Sequence, residues 1–432
     1  NMKLAKLSLA AMVVAGLATS SFAADTLADA FTKGKVSGEL KAWYFDRDTN
    51  TKGAVAKGDE GIFNTGLTLG YVTDTLYGFY MGATFQSSYA PWASDDDKNL
   101  FAKDEYGSGA VLSEAYLGYK MKNTNVKVGR QFISTPLVNG SGSRFIKESF
   151  QGATIVNTDI PNTTLVAAYV NKFQGRTTGV FSGSADSDIA EFTKTAVFAG
   201  GKSPYHFDDA YTIAVINKSI KGLTLTAQYA LVQDVADKIA GDVDVYHIDA
   251  AYVLPMSNFD LNFGVAYRAS NADKSAVKYD GSYLGAKIGI AKLAGFGAGF
   301  AYGTTDSKDD LIAGMGNGSD NLYTGTTIRA GGHTYQADTD SYKANISYDF
   351  GALGATGLIF NAEYAKANQD KLKVATLNRA AGQEIDYTTW GANLSYAFSG
   401  ALKGFDVGIQ YETQEKDTKG VSKVDTDEIR FR

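Results

Sequence analysis

The sequence has no cysteine, only five prolines and only three histidines among its 432 residues. Without cysteine there is no disulfide framework, no thiolate metal site and no cysteine nucleophile, and His206, His247 and His333 are too few for a histidine-rich metal centre. Zinc and thiol redox chemistry are thereby disfavoured. Basic residues are in deficit, with 41 Lys and Arg against 47 Asp and Glu, and an acidic chain argues against nucleic acid as a partner. Past the first two dozen residues no window approaches the roughly 20 apolar residues of a transmembrane helix, so a membrane role would have to use strands.

What is abundant points the same way. With 47 Gly, 26 Tyr and 24 Phe, the composition leans to an all-β chain rich in turns. Residues 2–23 read as a secretory signal: Lys3 and Lys6 form a basic start, 7–18 an apolar stretch, and Ser21-Phe22-Ala23 a small-x-small cleavage triplet. The mature chain is expected to begin at Ala24 and to form one domain over 24–432.

Period-two alternation recurs along that domain. Phe79, Met81, Ala83 and Phe85 alternate with Tyr80, Gly82, Thr84 and Gln86. Phe259, Leu261, Phe263, Val265 and Tyr267 alternate with Asp260, Asn262, Gly264, Ala266 and Arg268. Many segments run about 9 to 11 residues, the length a tilted strand needs to cross a bilayer. Short connections such as 73–75, 123–125, 221–222 and 255–258 alternate with long polar ones at 88–109, 175–208, 306–340 and 369–386. That rhythm predicts a transmembrane antiparallel β-barrel of about 18 strands with tight periplasmic turns and long external loops. The strands are placed at 35–46, 62–72, 77–86, 111–120, 126–132, 152–157, 164–173, 210–217, 223–234, 243–254, 259–269, 282–293, 297–304, 341–350, 358–366, 387–398, 405–414 and 425–432. Such a barrel holds a water-filled channel. Tyr71, Tyr119, Tyr229, Tyr252, Tyr302, Tyr396 and Phe398 are candidates for its two aromatic girdles. The last segment stops at Ile429-Arg430-Phe431-Arg432, so a few residues are expected to be missing there, leaving the first strand near 36–44 partly unpaired.

One stretch resembles a known family. Leu112-Ser113-Glu114-Ala115-Tyr116-Leu117-Gly118-Tyr119, Val126-Lys127-Val128-Gly129-Arg130-Gln131-Phe132, Thr135-Pro136-Leu137, Ser143-Arg144 and Phe150-Gln151-Gly152-Ala153 look like the OprD-type porins. The leader and Val36-Ser37-Gly38-Glu39-Leu40 are similar to the related major outer membrane porins of epsilon-class proteobacteria. The resemblance implies that residues 132–151 form the third external loop, folded into the lumen as the constriction. Gly140 and Gly142 permit the necessary backbone and Pro136 stiffens the entry. Arg144, Lys147 and Glu148 then supply charge where low-dielectric walls strengthen its field. The arginine ladder with which the family guides carboxylates is not legible in this sequence.

Strict alternation from Val126 and Val128 turns Arg130, a further candidate channel charge, toward lipid, which fits the outer rim or a bulge. Glu114, Lys127, Asp249, Arg268 and Lys343 are expected on the lumen wall, where acids and bases nearly balance. Acidic external loops, with Asp95-Asp96-Asp97, Asp104, Glu105, Asp306, Asp309 and Asp310, predict a cation lean. They could also bind Ca2+, although no twelve-residue calcium loop is present and no other cofactor is expected. No nucleophile, base and orienting partner stand in a recognisable arrangement, so no enzyme is expected.

The sequence therefore predicts a homotrimeric porin in outer-membrane lipid and lipopolysaccharide, passing ions and small hydrophilic solutes. A substrate-selective channel for amino acids, peptides or small carboxylates is the second reading, and a surface-binding barrel the third.

Overall fold

In a computed structural model the described residues are 24–51, 57–179, 189–199, 204–236, 240–273, 279–329, 331–376 and 378–432. The expected secretory signal at 1–23 lies outside them.

Eighteen long strands follow the alternating segments. They are β1 (Lys35–Thr51), β2 (Lys57–Val72), β3 (Phe79–Ser88), β4 (Gly109–Met121), β5 (Thr124–Gln131) and β6 (Ser149–Asn157). Next come β7 (Thr163–Gln174), β8 (Ala210–Asn217), β9 (Leu223–Val235), β10 (Gly241–Pro255), β11 (Asp260–Ala272) and β12 (Ser282–Leu293). The last are β13 (Phe296–Thr305), β14 (Thr339–Asp349), β15 (Leu358–Gln369), β16 (Ile385–Ala397), β17 (Asp406–Thr418) and β18 (Ser422–Phe431). Each pairs antiparallel with the next, and β18 pairs with β1 along Tyr44–Thr51, which closes the sheet into a barrel. On that side β18 offers no partner to residues 35–43 of β1.

The wall is inverted relative to a soluble sandwich. Leu40, Met81, Leu117, Val128, Ile213, Ile248, Val265, Ile288, Phe300 and Trp390 share the outward parity and are exposed. Gln86, Gln131, Gln228, His247, Arg268, Glu412 and Arg430 share the inward parity and are buried. A polar interior inside an apolar shell is stable only where the shell meets lipid. Two aromatic belts mark the ends of the shell. Beside the short turns the ring pairs are Phe79 with Tyr119, Tyr252 with Phe263, and Tyr396 with Phe398. Toward the long loops they are Tyr169 with Tyr211, Tyr229 with Tyr246, and Tyr302 with Tyr342. In the second belt the Tyr169 and Tyr302 hydroxyls donate to Asp209 and Asp340 at 2.6 and 2.7 Å, giving each ring an apolar body and a polar tip.

The N-terminal helix α1 (Leu27–Thr32) sits at the short-turn end, where Asp74 N donates to Ala30 O at 2.9 Å. At the other end the connections turn inward. The described residues of connections 132–148, 175–209 and 306–338 bring Leu137, Val138, Phe198, Phe207, Ile312 and Met315 into one apolar core with Phe150, Phe173, Val232 and Val243 of the wall. The pairing Asn139 N to Met315 O (3.0 Å) and Met315 N to Leu137 O (2.8 Å) stitches the first and third of these connections together. A second helix, α2 (Asp95–Phe101), is capped by Ser94 and Asp97 and drives Phe101 against Phe45 and Ile62.

Here the fold departs from expectation. Segments 175–208 and 306–340 read as plain external loops, yet among their described residues Phe198, Phe207, Ile312 and Met315 pack inside the barrel. Their polarity misleads because the wall supplies partners for it. Arg268 of β11 donates to Ala313 O and Ser319 O, both at 2.8 Å, and Glu412 of β17 accepts from Ile328 N (2.9 Å) and Arg329 N (2.7 Å). The acidic run Asp95–Asp97, considered above for Ca2+, occupies the first turn of α2, where carboxylates favour a helix N-terminus. Among the described residues no cluster of three or more His, Asp or Glu side chains could hold a metal ion.

Ile248 lies mid-strand on β10 with 61% of its surface exposed. Ile248→Arg is expected to lower folding stability in lipid vesicles by about 2–4 kcal/mol. Chemical-denaturant titration of the vesicle-inserted barrel checks this, and an unchanged midpoint would show that this face is not lipid-exposed.

Candidate pore constriction

The candidate constriction consists of loop 132–148 and the groups that pin it. Gln228 of β9 accepts from Leu137 N at 2.9 Å and donates to Thr135 Oγ1 at 2.8 Å, fixing the descending limb. Gln86 of β3 accepts from Lys147 N at 3.0 Å and donates to Lys147 O at 2.9 Å, fixing the ascending limb. A side-chain amide suits both places because it offers the loop a donor and an acceptor at once.

Between these anchors stands Glu148, fully buried. Its carboxylate accepts from Ser141 N and Asn317 N, both at 2.9 Å, and from Asn317 Nδ2 at 2.5 Å, and it lies 3.3 Å from Arg176 Nε. One side chain thus joins all three inward connections. Gly140 passes so close to Glu148 that an added Cβ would lie 2.4 Å from its carbonyl oxygen, which explains the glycine there.

Around this junction the structure gathers arginines from distant parts of the chain. Arg47 of β1 pairs with Asp104 (2.6 Å) and with Glu428 of β18 (2.8 Å). Arg144 lies 3.4 Å from Asp104 and 3.1 Å from Glu105. Arg430 and Arg329 reach Glu428 at 2.5 and 3.4 Å, and Arg432 donates to Ser143 O at 2.8 Å. The Ser143 hydroxyl accepts from Arg144 Nη1 and Arg176 Nη2, both at 3.4 Å. Six guanidiniums therefore face four carboxylates, Asp104, Glu105, Glu148 and Glu428.

Aromatic rings back the cations. Arg432 lies 4.5 Å from the Trp43 ring centre, Lys41 5.2 Å from the same ring, and Arg47 4.7 Å from Phe101. Such stacking holds a guanidinium in place without cancelling its charge. Burial lowers the pKa of Lys147 and of Arg176, the latter despite Glu148 beside it. Asp104 is pulled well below the ordinary carboxylate range: the Arg47 and Arg144 guanidiniums outweigh its burial.

The residues expected from sequence fall in several places. Arg144 and Glu148 stand in the cluster just described. Lys147 instead folds back over the Phe132 ring, 4.1 Å from its centre. Glu114 braces the loop entry, accepting from Thr84 Oγ1 (2.6 Å) and Phe132 N (3.3 Å), and Lys127 lies over Tyr116 on the wall below. Asp249 and Arg268, with His247 between them, sit under loop 306–338, as does Lys343, which pairs with Glu363 at 2.8 Å and donates to Gly325 O at 2.5 Å. Arg130 keeps the outward parity, away from the constriction. It is one residue from the upper end of β5, donates to Leu112 O at 3.3 Å beside the β4 bulge and stacks on Phe192.

Arg47, Arg176, Arg329 and Arg432, with Asp104, Glu105 and Glu428, were missed as constriction residues. Arg47 was within reach: Lys41, Trp43, Phe45 and Arg47 form one inward row, but the predicted strand stopped one residue short.

A family model for the outer membrane porin, OprD family, matches residues 29–432. The chain belongs to the OprD family. Its barrel is similar to Pseudomonas aeruginosa OccK9 (OpdG), with 18% identity, a TM-score of 0.74, and coverage of 93% of this chain and 98% of that one. It is also similar to Pseudomonas aeruginosa OpdK with vanillate (14%, TM-score 0.73, 93% and 98%) and to OpdQ of the same organism (19%, TM-score 0.71, 93% and 98%). No curated protein matches the sequence. The chain is an outer-membrane porin, set in a lipid and lipopolysaccharide environment and crossed by solutes.

Glu148→Ala removes the junction of three connections and strands the Arg176 charge, at a cost of about 3–5 kcal/mol. Single-channel recordings are expected to show larger and noisier steps than wild type. Steps of unchanged size and noise would show that Glu148 does not hold the constriction.

Proposed function

We propose that this porin passes small hydrophilic solutes by passive diffusion with a preference for anions, small carboxylates among them. The observation that carries this reading is the cluster beside loop 132–148 in which six guanidiniums meet the four carboxylates Asp104, Glu105, Glu148 and Glu428, an excess of two. In a narrow passage with low-dielectric walls, fixed charge acts on a permeating ion with little screening. Guanidinium groups also present paired donors that match a carboxylate.

The acidic external loops had suggested a cation lean. Of their charges, Asp104 is committed to Arg47 and Arg144, Asp97 caps α2, and Asp95 pairs with Lys98 at 3.2 Å. The exposed remainder is screened within about 8–10 Å at physiological salt. The narrow part of the pore therefore dominates selectivity. The half-buried Trp43 ring, braced edge-on by buried Phe145 at 5.4 Å, adds an aromatic surface beside Lys41 and Arg432. That surface favours a carboxylate carried on a planar ring, and vanillate, bound by the similar OpdK, is such a molecule.

The reversal potential under a KCl gradient across planar bilayers tests the charge reading. An anion preference is expected for the wild type, and Arg144→Glu, which removes the whole excess, is expected to abolish or invert it. A cation-selective wild type would overturn the reading. Vanillate added to one side is expected to reduce the KCl current more than equimolar acetate.

A further inference from the structure

Asp104 and Glu105 are neighbours in the β3–β4 connection and both point at the same cation, Arg144 Nε, at 3.4 and 3.1 Å. Their surroundings otherwise differ. Asp104 has a second guanidinium, Arg47, at 2.6 Å. Glu105 has no second guanidinium in contact: Arg144 Nε lies 3.1 Å from its Oε1, and its Oε2 accepts from Phe145 N at 3.2 Å. Its backbone is fixed as well, since Asn64 Nδ2 donates to Glu105 O at 3.1 Å. The groups facing Glu105 are Arg144 from loop 132–148, Asp104 from its own connection, Arg176 from the β7–β8 connection, and Arg430 and Arg432 from β18 and the residue after it.

We propose that Glu105 is a selectivity-determining residue of the channel, carrying a proton in acid and losing it in alkali, so that acidification strengthens the attraction of the constriction for anions. Two adjacent carboxylates sharing one guanidinium cannot both be well stabilised, and the one with the second cation keeps its charge. Burial and the neighbouring Asp104 outweigh Arg144, so the Glu105 carboxyl is pushed up to about 7. The sign follows directly. Below that pH Glu105 is neutral and six guanidiniums face three carboxylates; above it they face four. The inference rests on the constriction assigned above, but it concerns a change in selectivity and not its absolute sign.

The experiment is the reversal potential of the full-length protein under a KCl gradient at pH 5.5 to 8.5, for wild type, Glu105→Gln and Asp104→Asn. In wild type the chloride-to-potassium permeability ratio is expected to rise about two- to fourfold on acidification, as one unit charge beside a narrow pore would produce. Glu105→Gln should hold the acid value throughout. Asp104→Asn relieves the like charge and leaves Arg144 to Glu105, so its transition should move to lower pH. It also serves where the Glu105 variant does not fold. A flat wild-type profile, a transition that persists in Glu105→Gln, or an unmoved midpoint in Asp104→Asn would overturn the proposal. A pH-dependent shift on a cation-selective background would leave it standing while refuting the anion preference.

Discussion

A bilayer core has no hydrogen bonds to give, and that single constraint organises the molecule. Every backbone amide at membrane depth must find its partner within the chain, so the sheet closes on itself through β1 and β18. Closure then fixes the side chains: alternate residues face lipid or lumen with no third choice. The polar residues that a soluble protein would turn outward are directed into a confined space.

What fills that space follows from the same economy of partners. Loops carried into a lumen need their irregular backbone satisfied, and the inward wall is rich in groups that can do it. Gln86 and Gln228 hold loop 132–148, while Arg268 and Glu412 hold loop 306–338. Once pinned, the loops bury Leu137, Phe198, Ile312 and Met315 against one another, an apolar core inside a polar barrel. On the other side of the lumen the charges of β1, β18 and the loops are left facing one another.

The strands were legible because a period of two is a strong local signal and repeats eighteen times. The expected segments 210–217 and 282–293 coincide with β8 and β12. Most other strands extend two to five residues further at one end or the other, where hydrogen bonding continues into polar sequence. The inward fold of loop 132–148 came from resemblance, and its Arg144 and Glu148 were found that way. The inward fold of 306–338 was not legible. Its Leu311-Ile312-Ala313 run is short, and its anchors, Arg268 and Glu412, are some 40 to 90 residues away in the chain. The arginine cluster was hidden for a related reason: six residues scattered from position 47 to position 432 carry no spacing in common.

Arg47 and Glu428 stand opposite each other in the pairing of the first and last strands. The charge cluster therefore straddles the seam of the barrel. It does not exist in any partly assembled sheet, because its two sides are supplied by opposite ends of the polypeptide. A barrel that inserted without sealing this seam would lack the contacts that hold these opposed charges together.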